Sequence, residues 1–151
     1  MLQRNWLLGK RISDEILNGE KRAEYGNEII KRLSEALTGM YGKGFTKSYL
    51  YNFVRFYKAF PNIFQSPIGK SEILSWTHYF LLLDIDDDAA RNWYAHEAFV
   101  ETWSVRALRR NIASQYYYRL LQSQNKRVVE DEMHKLTASM DTVSKSVSEL
   151  R

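Results

Sequence analysis

The chain has 151 residues, enough for one domain with a sizeable core, and its 44% hydrophobic and 14% aromatic content excludes a disordered chain. The absence of cysteine excludes a disulfide scaffold and thiolate metal sites, and it fits a reducing compartment. The net charge of +4 is concentrated in residues 1–72, which carry 12 Lys or Arg and 7 Asp or Glu. This basic excess favours a polyanionic partner, although modest surpluses are also common on ordinary protein surfaces.

No membrane partner is expected from the sequence. The N-terminus lacks the apolar segment and the cleavage site of a signal peptide. The longest apolar runs, such as Tyr79–Leu83, are too short to span a bilayer. We therefore expect a soluble, cytoplasmic protein.

Hydrophobic residues recur at intervals of three and four along most of the chain, and no convincing alternating run predicts a strand. The predicted fold is therefore all-α. A first helix includes Trp6–Leu17 and ends near Asn18-Gly19, and a second includes Tyr25–Met40. The second helix is predicted to end at the turn Tyr41–Gly44, because its two glycines permit the left-handed backbone of a tight turn.

The third helix follows that turn. Thr46 or Ser48 can cap its N-terminus, and the helix is predicted to run to Phe60. The two prolines of the chain, Pro61 and Pro67, then bracket a loop, because proline does not continue a helix.

Three further helices are predicted from capping residues. Ser75 is expected to cap a helix over residues 76–83, Asp86 one over residues 87–102, and Ser104 one over residues 105–124.

The tail has a different pattern from the rest of the chain. Its apolar residues are spaced as the a and d positions of a heptad repeat: Val129, Met133, Leu136, Met140, Val143, Val147 and Leu150. The pattern predicts either a coiled coil that forms a homodimer through residues 127–151 or an amphipathic helix that folds back on its own domain. We accordingly divide the chain into a helical domain, 1–125, and a C-terminal amphipathic helix, 126–151.

The third helix has two contrasting faces. Leu50, Phe53, Tyr57 and Phe60 share one stripe and should face the core. The opposite face is polar and basic, and the helix–turn–helix motif would place it in the major groove of DNA. There Asn52 could pair with adenine and Arg55 with guanine, while lysine and serine suit phosphates. A solvated amphipathic helix is the alternative interpretation.

The candidate DNA-binding residues belong to this helix and the turn before it. They are Lys43, Thr46, Lys47, Ser48, Tyr51, Asn52, Arg55 and Lys58. The expected partner is double-stranded DNA.

No catalytic or metal site is predicted. A calcium loop that began at Asp84 would need glycine and glutamate where Ala89 and Ala95 stand. The three histidines are scattered, and His78 is expected to be a packed, hydrogen-bonded side chain. The sequence also contains no phosphate-binding glycine motif, no G-x-S-x-G motif and no E-x-K triplet, so we expect no cofactor.

Six segments of the chain are recognisable: "RAEYG" (22–26), "GKGF" (42–45), "FYKAFP" (56–61), "LSWTHYFLLL" (74–83), "EAFVETWSVRALRRNI" (97–112) and "YRLLQSQNK" (118–126). In this order they resemble the N-terminal domain of the YhcG-type nuclease family. The resemblance covers roughly residues 8–138. It implies a continuation into a PD-(D/E)XK nuclease domain that binds a divalent metal. This chain stops before such a domain, so the resemblance implies an accessory module and not the catalyst.

The segments "TKSYLYNFVRFYKAF" (46–60), "LSWTHYFLLL" (74–83) and "WSVRALRR" (103–110) also resemble the helix-turn-helix region of ParB-type partition proteins. In that region a recognition helix is followed by an "LS-x-x-H" helix and an "SVR" helix, which implies that His78 and Ser104 are framework residues. The sequence departs from that pattern where Val54 replaces a basic residue and Tyr49 an asparagine.

The sequence therefore predicts a non-catalytic DNA-binding module, the recognition domain that accompanies a nuclease domain. The alternative is a protein–protein interaction or dimerisation module of the same nuclease system, with a nuclease domain or another protein as its partner. The steep salt dependence of phosphate binding would distinguish the two.

Overall fold

The computed structural model describes residues 1–15, 23–64, 73–123 and 126–149. These ranges contain eight α-helices and no strand, which confirms the all-α prediction. The helices are α1 (Leu2–Glu15), α2 (Ala23–Tyr41), α3 (Lys47–Ala59), α4 (Trp76–Leu82), α5 (Asp88–Val100), α6 (Val105–Ala113), α7 (Tyr116–Gln122) and α8 (Lys126–Glu149). The predicted end of the first helix at Asn18-Gly19 lies outside the described residues, as does Pro67.

The chain divides into two compact units, Met1–Ser71 and Glu72–Arg151. The first contains α1, α2 and α3, and the second contains α4 to α8. The predicted division between residues 125 and 126 stays a prediction, although α8 packs on α6 and α7 within the second unit.

In the first unit, α1 lies directly against α3. A Cβ atom added to Gly9 would lie 1.9 Å from the carbonyl oxygen of Phe53, so the two backbones touch at this point. One turn away, the Trp6 indole Nε1 donates a hydrogen bond of 3.0 Å to the Phe60 carbonyl. The Trp6 ring also meets the ring of Tyr57 edge-on, with 5.3 Å between the ring centroids. These contacts fix the side of α3 that faces α1.

The buried stripe of α3 is wider than the sequence predicts. Leu50 and Phe53 are buried, as expected. Val54 and Phe56 are buried as well, whereas Tyr57 and Phe60, which were expected in the core, are only half-buried. The reason is that α3 packs against both α1 and α2, so more than one helical stripe is covered.

The turn between α2 and α3 is held by its backbone conformation and by two side chains. Gly42 and Gly44 have φ of 84° and 108°, which residues other than glycine rarely adopt. The Ser34 hydroxyl donates a 2.6 Å hydrogen bond to the Phe45 carbonyl. Thr46, and not Ser48, caps α3, because its hydroxyl oxygen accepts a hydrogen bond from the Tyr49 amide at 3.3 Å.

In the second unit, Ser75 caps α4 and Ser104 caps α6, as predicted. The prediction that Asp86 caps α5 is wrong by one residue. Asp87 is the cap, and its carboxylate accepts hydrogen bonds from the amides of Ala89 at 2.9 Å and Ala90 at 3.4 Å.

The single helix predicted over residues 105–124 is also wrong, because the chain breaks into α6 and α7 at Gln115, where φ is 60°. The Tyr94 hydroxyl from α5 satisfies the backbone at the break. It accepts a hydrogen bond of 3.1 Å from the Tyr117 amide and donates one of 3.4 Å to the Asn111 carbonyl. A buried side chain from another helix thus stabilises a break that no glycine or proline marks.

The first half of α8 folds back on α6 and α7. Val129 and Met133 are buried there, and the Thr137 hydroxyl accepts a 3.3 Å hydrogen bond from the buried Asn111 amide. On α7, Arg119 forms an ion pair of 2.9 Å with Glu132. For this part of the tail, the structure supports the fold-back interpretation. The side chains from Met140 onward lie outside the described ones, and a homodimer through residues 127–151 stays a prediction.

The contact at Gly9 gives a testable prediction about stability. Gly9→Ala should lower the free energy of unfolding by about 3 kcal/mol or more. The reason is that the new methyl group would overlap the backbone of α3 and not the end of a flexible side chain. Gly39→Ala is the matched control in α2, where nothing lies within 4 Å of an added Cβ. That change should raise the free energy of unfolding by about 0.4–1 kcal/mol. Urea denaturation of both variants is the measurement, and a Gly9→Ala variant as stable as the parent would contradict the packing.

A second prediction concerns the pH dependence of stability. Burial and the nearby Glu101 raise the pKa of Glu97, against the opposing effect of His96 and His134. Because the pKa is raised, ionisation of Glu97 costs stability, and this cost is present at neutral pH and disappears as pH falls through the carboxyl pKa. Glu97→Gln should therefore raise the melting temperature at pH 7, and the gain should shrink towards pH 4.

The control for Glu97 is Glu35→Gln on the exposed side of α2. Its melting temperature should follow the parent at both pH values. A Glu97→Gln variant that is less stable than the parent at pH 7 would show that the fold stabilises the Glu97 carboxylate. That result would contradict the expected destabilisation.

Candidate nucleic-acid interface

The eight candidate DNA-binding residues lie on the turn before α3 and on the side of α3 opposite its buried stripe. Six of them are exposed, and Tyr51 and Asn52 are half-buried. The exposed members are Lys43, Thr46, Lys47, Ser48, Arg55 and Lys58. The order of helix, glycine turn and helix is as predicted, and the identification as a helix-turn-helix motif stays a prediction.

The two candidates for contact with base edges are joined to each other. The Arg55 guanidinium Nη1 donates a hydrogen bond of 3.2 Å to the side-chain oxygen Oδ1 of Asn52, one turn earlier on α3. That oxygen has a second lone pair, so it can accept another hydrogen bond, as pairing with adenine requires. The bond therefore holds both side chains along the outer face of α3 without removing the acceptor of Asn52.

Tyr51 and Thr46 have structural partners. The Tyr51 hydroxyl donates a hydrogen bond to the Asn27 side-chain oxygen and so links α3 to α2. The Thr46 hydroxyl oxygen caps α3, but its proton can still be donated to a phosphate. The sequence analysis did not include Asn27, because only the folded arrangement brings residue 27 next to residue 51.

The lysines of this surface have no acidic partner among the described residues. Residues 36–71 contain no acid. Among the described residues, Lys43, Lys47 and Lys58 form no ion pair. By contrast, Arg11 on α1 and Arg32 on α2 pair with glutamates on their own helices, at 3.3 and 3.5 Å. The turn and the outer face of α3 therefore present a positive potential that a polyanion could neutralise.

The described part of the chain contains no cluster of histidine and carboxylate side chains that could hold a metal. His78 is a packed, hydrogen-bonded residue, as expected: its Nε2 donates to the Trp103 carbonyl at 2.8 Å, which leaves Nδ1 to accept from the Ser75 hydroxyl at 2.6 Å. Nδ1 thus bonds the cap of α4 itself, and Nε2 joins α4 to the segment just before α6. No described helix has the length and apolar character needed to cross a membrane.

The sequence analysis also missed a set of exposed arginines on α6. Arg106, Arg109 and Arg110 share the solvent-facing side of that helix. The available signal was their spacing of three and four residues inside an acid-free segment, 102–129.

The comparisons with known proteins agree with the resemblance seen in the sequence. Residues 1–119 match the family described as the DUF1016 N-terminal domain. A curated protein of Escherichia coli (strain K12), named "Putative nuclease YhcG", is 33% identical over an alignment 147 positions long, and the match covers 79% of this chain and 39% of that protein. No solved structure matches the chain.

This chain thus spans well under half the length of that curated relative. The family match covers more than half of the chain, from α1 through most of α7. The chain belongs to the DUF1016 N-terminal domain family and is related to the YhcG nuclease family.

Proposed function

We propose that this chain is a non-catalytic module that binds double-stranded DNA through α3 and the turn before it. The observation that carries the proposal is the outer face of α3, where basic and amide side chains stand without a carboxylate between residues 36 and 71. The opposite side of α3 is the one that contacts α1, so packing against α1 does not require the lysines of this face.

The residues of this face divide into two roles. Lys43, Lys47 and Lys58 would neutralise phosphates, and the Thr46 and Ser48 hydroxyls would donate to phosphate oxygens. Asn52 and Arg55 would contact base edges, since an amide suits adenine and a guanidinium suits guanine. Their mutual hydrogen bond restricts both side chains before DNA arrives, which lowers the entropy lost on binding.

The relationship to a protein named a nuclease supports nucleic acid as the partner, because a nuclease acts on that polymer. In our proposal the module brings DNA to a nuclease domain of the same system, and the cytoplasmic location expected from the sequence belongs to the proposal. The module itself contributes no metal chemistry in this scheme.

A second candidate function, protein–protein interaction, is favoured by one observation. The C-terminal end of α2 and the start of α3 carry large hydrophobic side chains that are exposed: Met40 and Tyr41 on α2, and Tyr49 on α3. Exposed aromatic and methionine side chains are enriched in interfaces between proteins. A partner protein or a second copy that covered them would leave the binding nearly independent of salt.

The third prediction tests α3 by binding. Replacing Lys47, Asn52 and Arg55 together with alanine should weaken binding of a fluorescent DNA duplex, measured by anisotropy at several salt concentrations. Lys47→Ala alone should flatten the plot of log affinity against log salt by about one unit, because one phosphate contact is lost. Each exposed replacement should change the free energy of unfolding by less than about 0.5 kcal/mol.

Lys31→Ala, at an exposed position of α2, is the control with the same loss of charge as Lys47→Ala. It should leave the salt slope unchanged. A folded triple variant that binds duplex DNA as tightly as the parent would refute the role of α3. Salt-independent self-association of the parent, without DNA binding, would favour the interaction module.

The fourth prediction is that the purified chain does not cleave DNA when magnesium or manganese is added. The reason is that the chain contains no E-x-K triplet and no group of described side chains placed to hold a metal. The measurement is incubation with plasmid DNA followed by gel electrophoresis. Metal-dependent cleavage that is abolished by a substitution within this chain would contradict the prediction.

A further inference from the structure

The exposed side of α6 consists largely of three arginines, Arg106, Arg109 and Arg110, which we call the arginine face. A step of 100° per residue places them within one third of the helix circumference. The buried side of the same helix is formed by Ala107, Leu108 and Asn111. The helix needs these buried residues for packing, but it does not need arginine on its outer side.

The arginine face has no partner within the described residues. Residues 73–123 contain five arginines and no lysine. Arg91 bonds to the Ile85 carbonyl and pairs with Asp88, and Arg119 pairs with Glu132. None of the three arginines of α6 forms an ion pair in the described part of the chain. They are therefore the arginines of this segment that remain available for an anion outside the chain.

Electrostatics within the helix opposes this arrangement in two ways. Arg106 stands in the first turn of α6, where the partial positive charge of the helix dipole disfavours a cation. Arg106 also lies three and four residues from the other two arginines, a spacing at which like charges repel. Only Arg110, in the last turn, is placed favourably. Stability of the helix thus does not account for the arginine face.

The side-chain type points to phosphate. A guanidinium presents a planar set of donors that can hold two phosphate oxygens at once, and it loses less hydration than an ammonium when it binds. Three such groups lie within about one helical turn and form a compact positive patch. The flanking segment, 102–129, contains no acid that would repel a polyanion.

We propose that the arginine face of α6 is a second DNA-binding surface, which contacts the phosphate backbone of the duplex without contributing to base recognition. This inference rests on the proposed function, since it takes duplex DNA as the ligand. It adds a surface in the second unit to the one on α3, and it assigns to that surface a sequence-independent role.

The test, which is the fifth prediction, uses the full chain and two fluorescent duplexes of unrelated sequence. The triple variant Arg106→Gln, Arg109→Gln, Arg110→Gln should bind both duplexes more weakly by roughly ten- to a hundredfold at about 0.15 M salt, and its salt slope should fall by about two to three units. The loss should be equal for the two duplexes. An additional variant with lysine at all three positions should keep the salt slope and bind with intermediate affinity.

The control for net charge is the triple variant Arg11→Gln, Lys31→Gln, Arg32→Gln on α1 and α2. It removes the same three charges, two of them already paired with glutamates, and should change the slope little. Thermal melting checks that each variant is folded. The glutamine variant of α6 should melt no lower than the parent, because it removes like-charge repulsion.

The outcomes separate this inference from the proposed function. Unchanged binding by a folded α6 variant, together with weaker binding by the α3 variant, would overturn the inference alone. Weaker binding by the α6 variant and unchanged binding by the α3 variant would support the arginine face and refute the role of α3. A parent that binds neither duplex at low salt would overturn both.

Discussion

The contact between the α1 backbone at Gly9 and the α3 backbone at Phe53 is the constraint on which the first unit depends. With 1.9 Å between a hypothetical Cβ and the Phe53 carbonyl oxygen, no side chain can separate the two helices there. The adjacent Trp6 indole then reaches the Phe60 carbonyl at the end of α3 and satisfies a backbone acceptor. The rotation of α3 about its own axis is fixed by these contacts, and the direction of its polar face follows.

The second unit contains five helices, some of them only seven residues long. Hydrogen bonds of polar side chains hold several of these helices together. His78 links α4 to the start of α6, Tyr94 bonds the backbone at the break before α7, and Asn111 bonds Thr137 of α8. Buried or half-buried polar groups of this kind are stable only when their partners are in place, so they favour one arrangement of the helices over its alternatives. That arrangement turns the buried side of α6 inward and its arginines outward.

The extent to which the sequence predicts this structure depends on the range of each interaction. Local signals predict part of the structure correctly. The 3.6-residue period identifies Leu50 and Phe53 as core residues. The caps Ser75 and Ser104 are predicted, and Thr46 is one of the two candidates predicted for α3. The sequence pattern does not distinguish Asp86 from Asp87, because adjacent aspartates in one acidic run differ only in their backbone conformation. The prediction of Asp86 is therefore wrong by one residue.

The break at Gln115 and the close contact at Gly9 both arise from residues distant in sequence, Tyr94 and Phe53. Neither partner is visible in a local pattern, so no period or capping rule could have predicted them. The same holds for the link between Tyr51 and Asn27 at the candidate site. By contrast, the Asn52–Arg55 pair spans a single helical turn, and its spacing alone makes the bond geometrically accessible.

The two charged surfaces differ in what they are able to recognise. In the proposed function, the outer face of α3 offers an amide that donates and accepts hydrogen bonds, next to a guanidinium, so it would contact base edges as well as phosphates. The arginine face of α6 offers donors alone, because the one amide of that helix, Asn111, is buried and bonded to Thr137. In the proposal these donors contact phosphate oxygens, which are the same at every base sequence. In the proposal, the phosphate contacts of each surface would contribute to the salt dependence of binding. Affinity would then come from both units, and sequence preference from α3 alone.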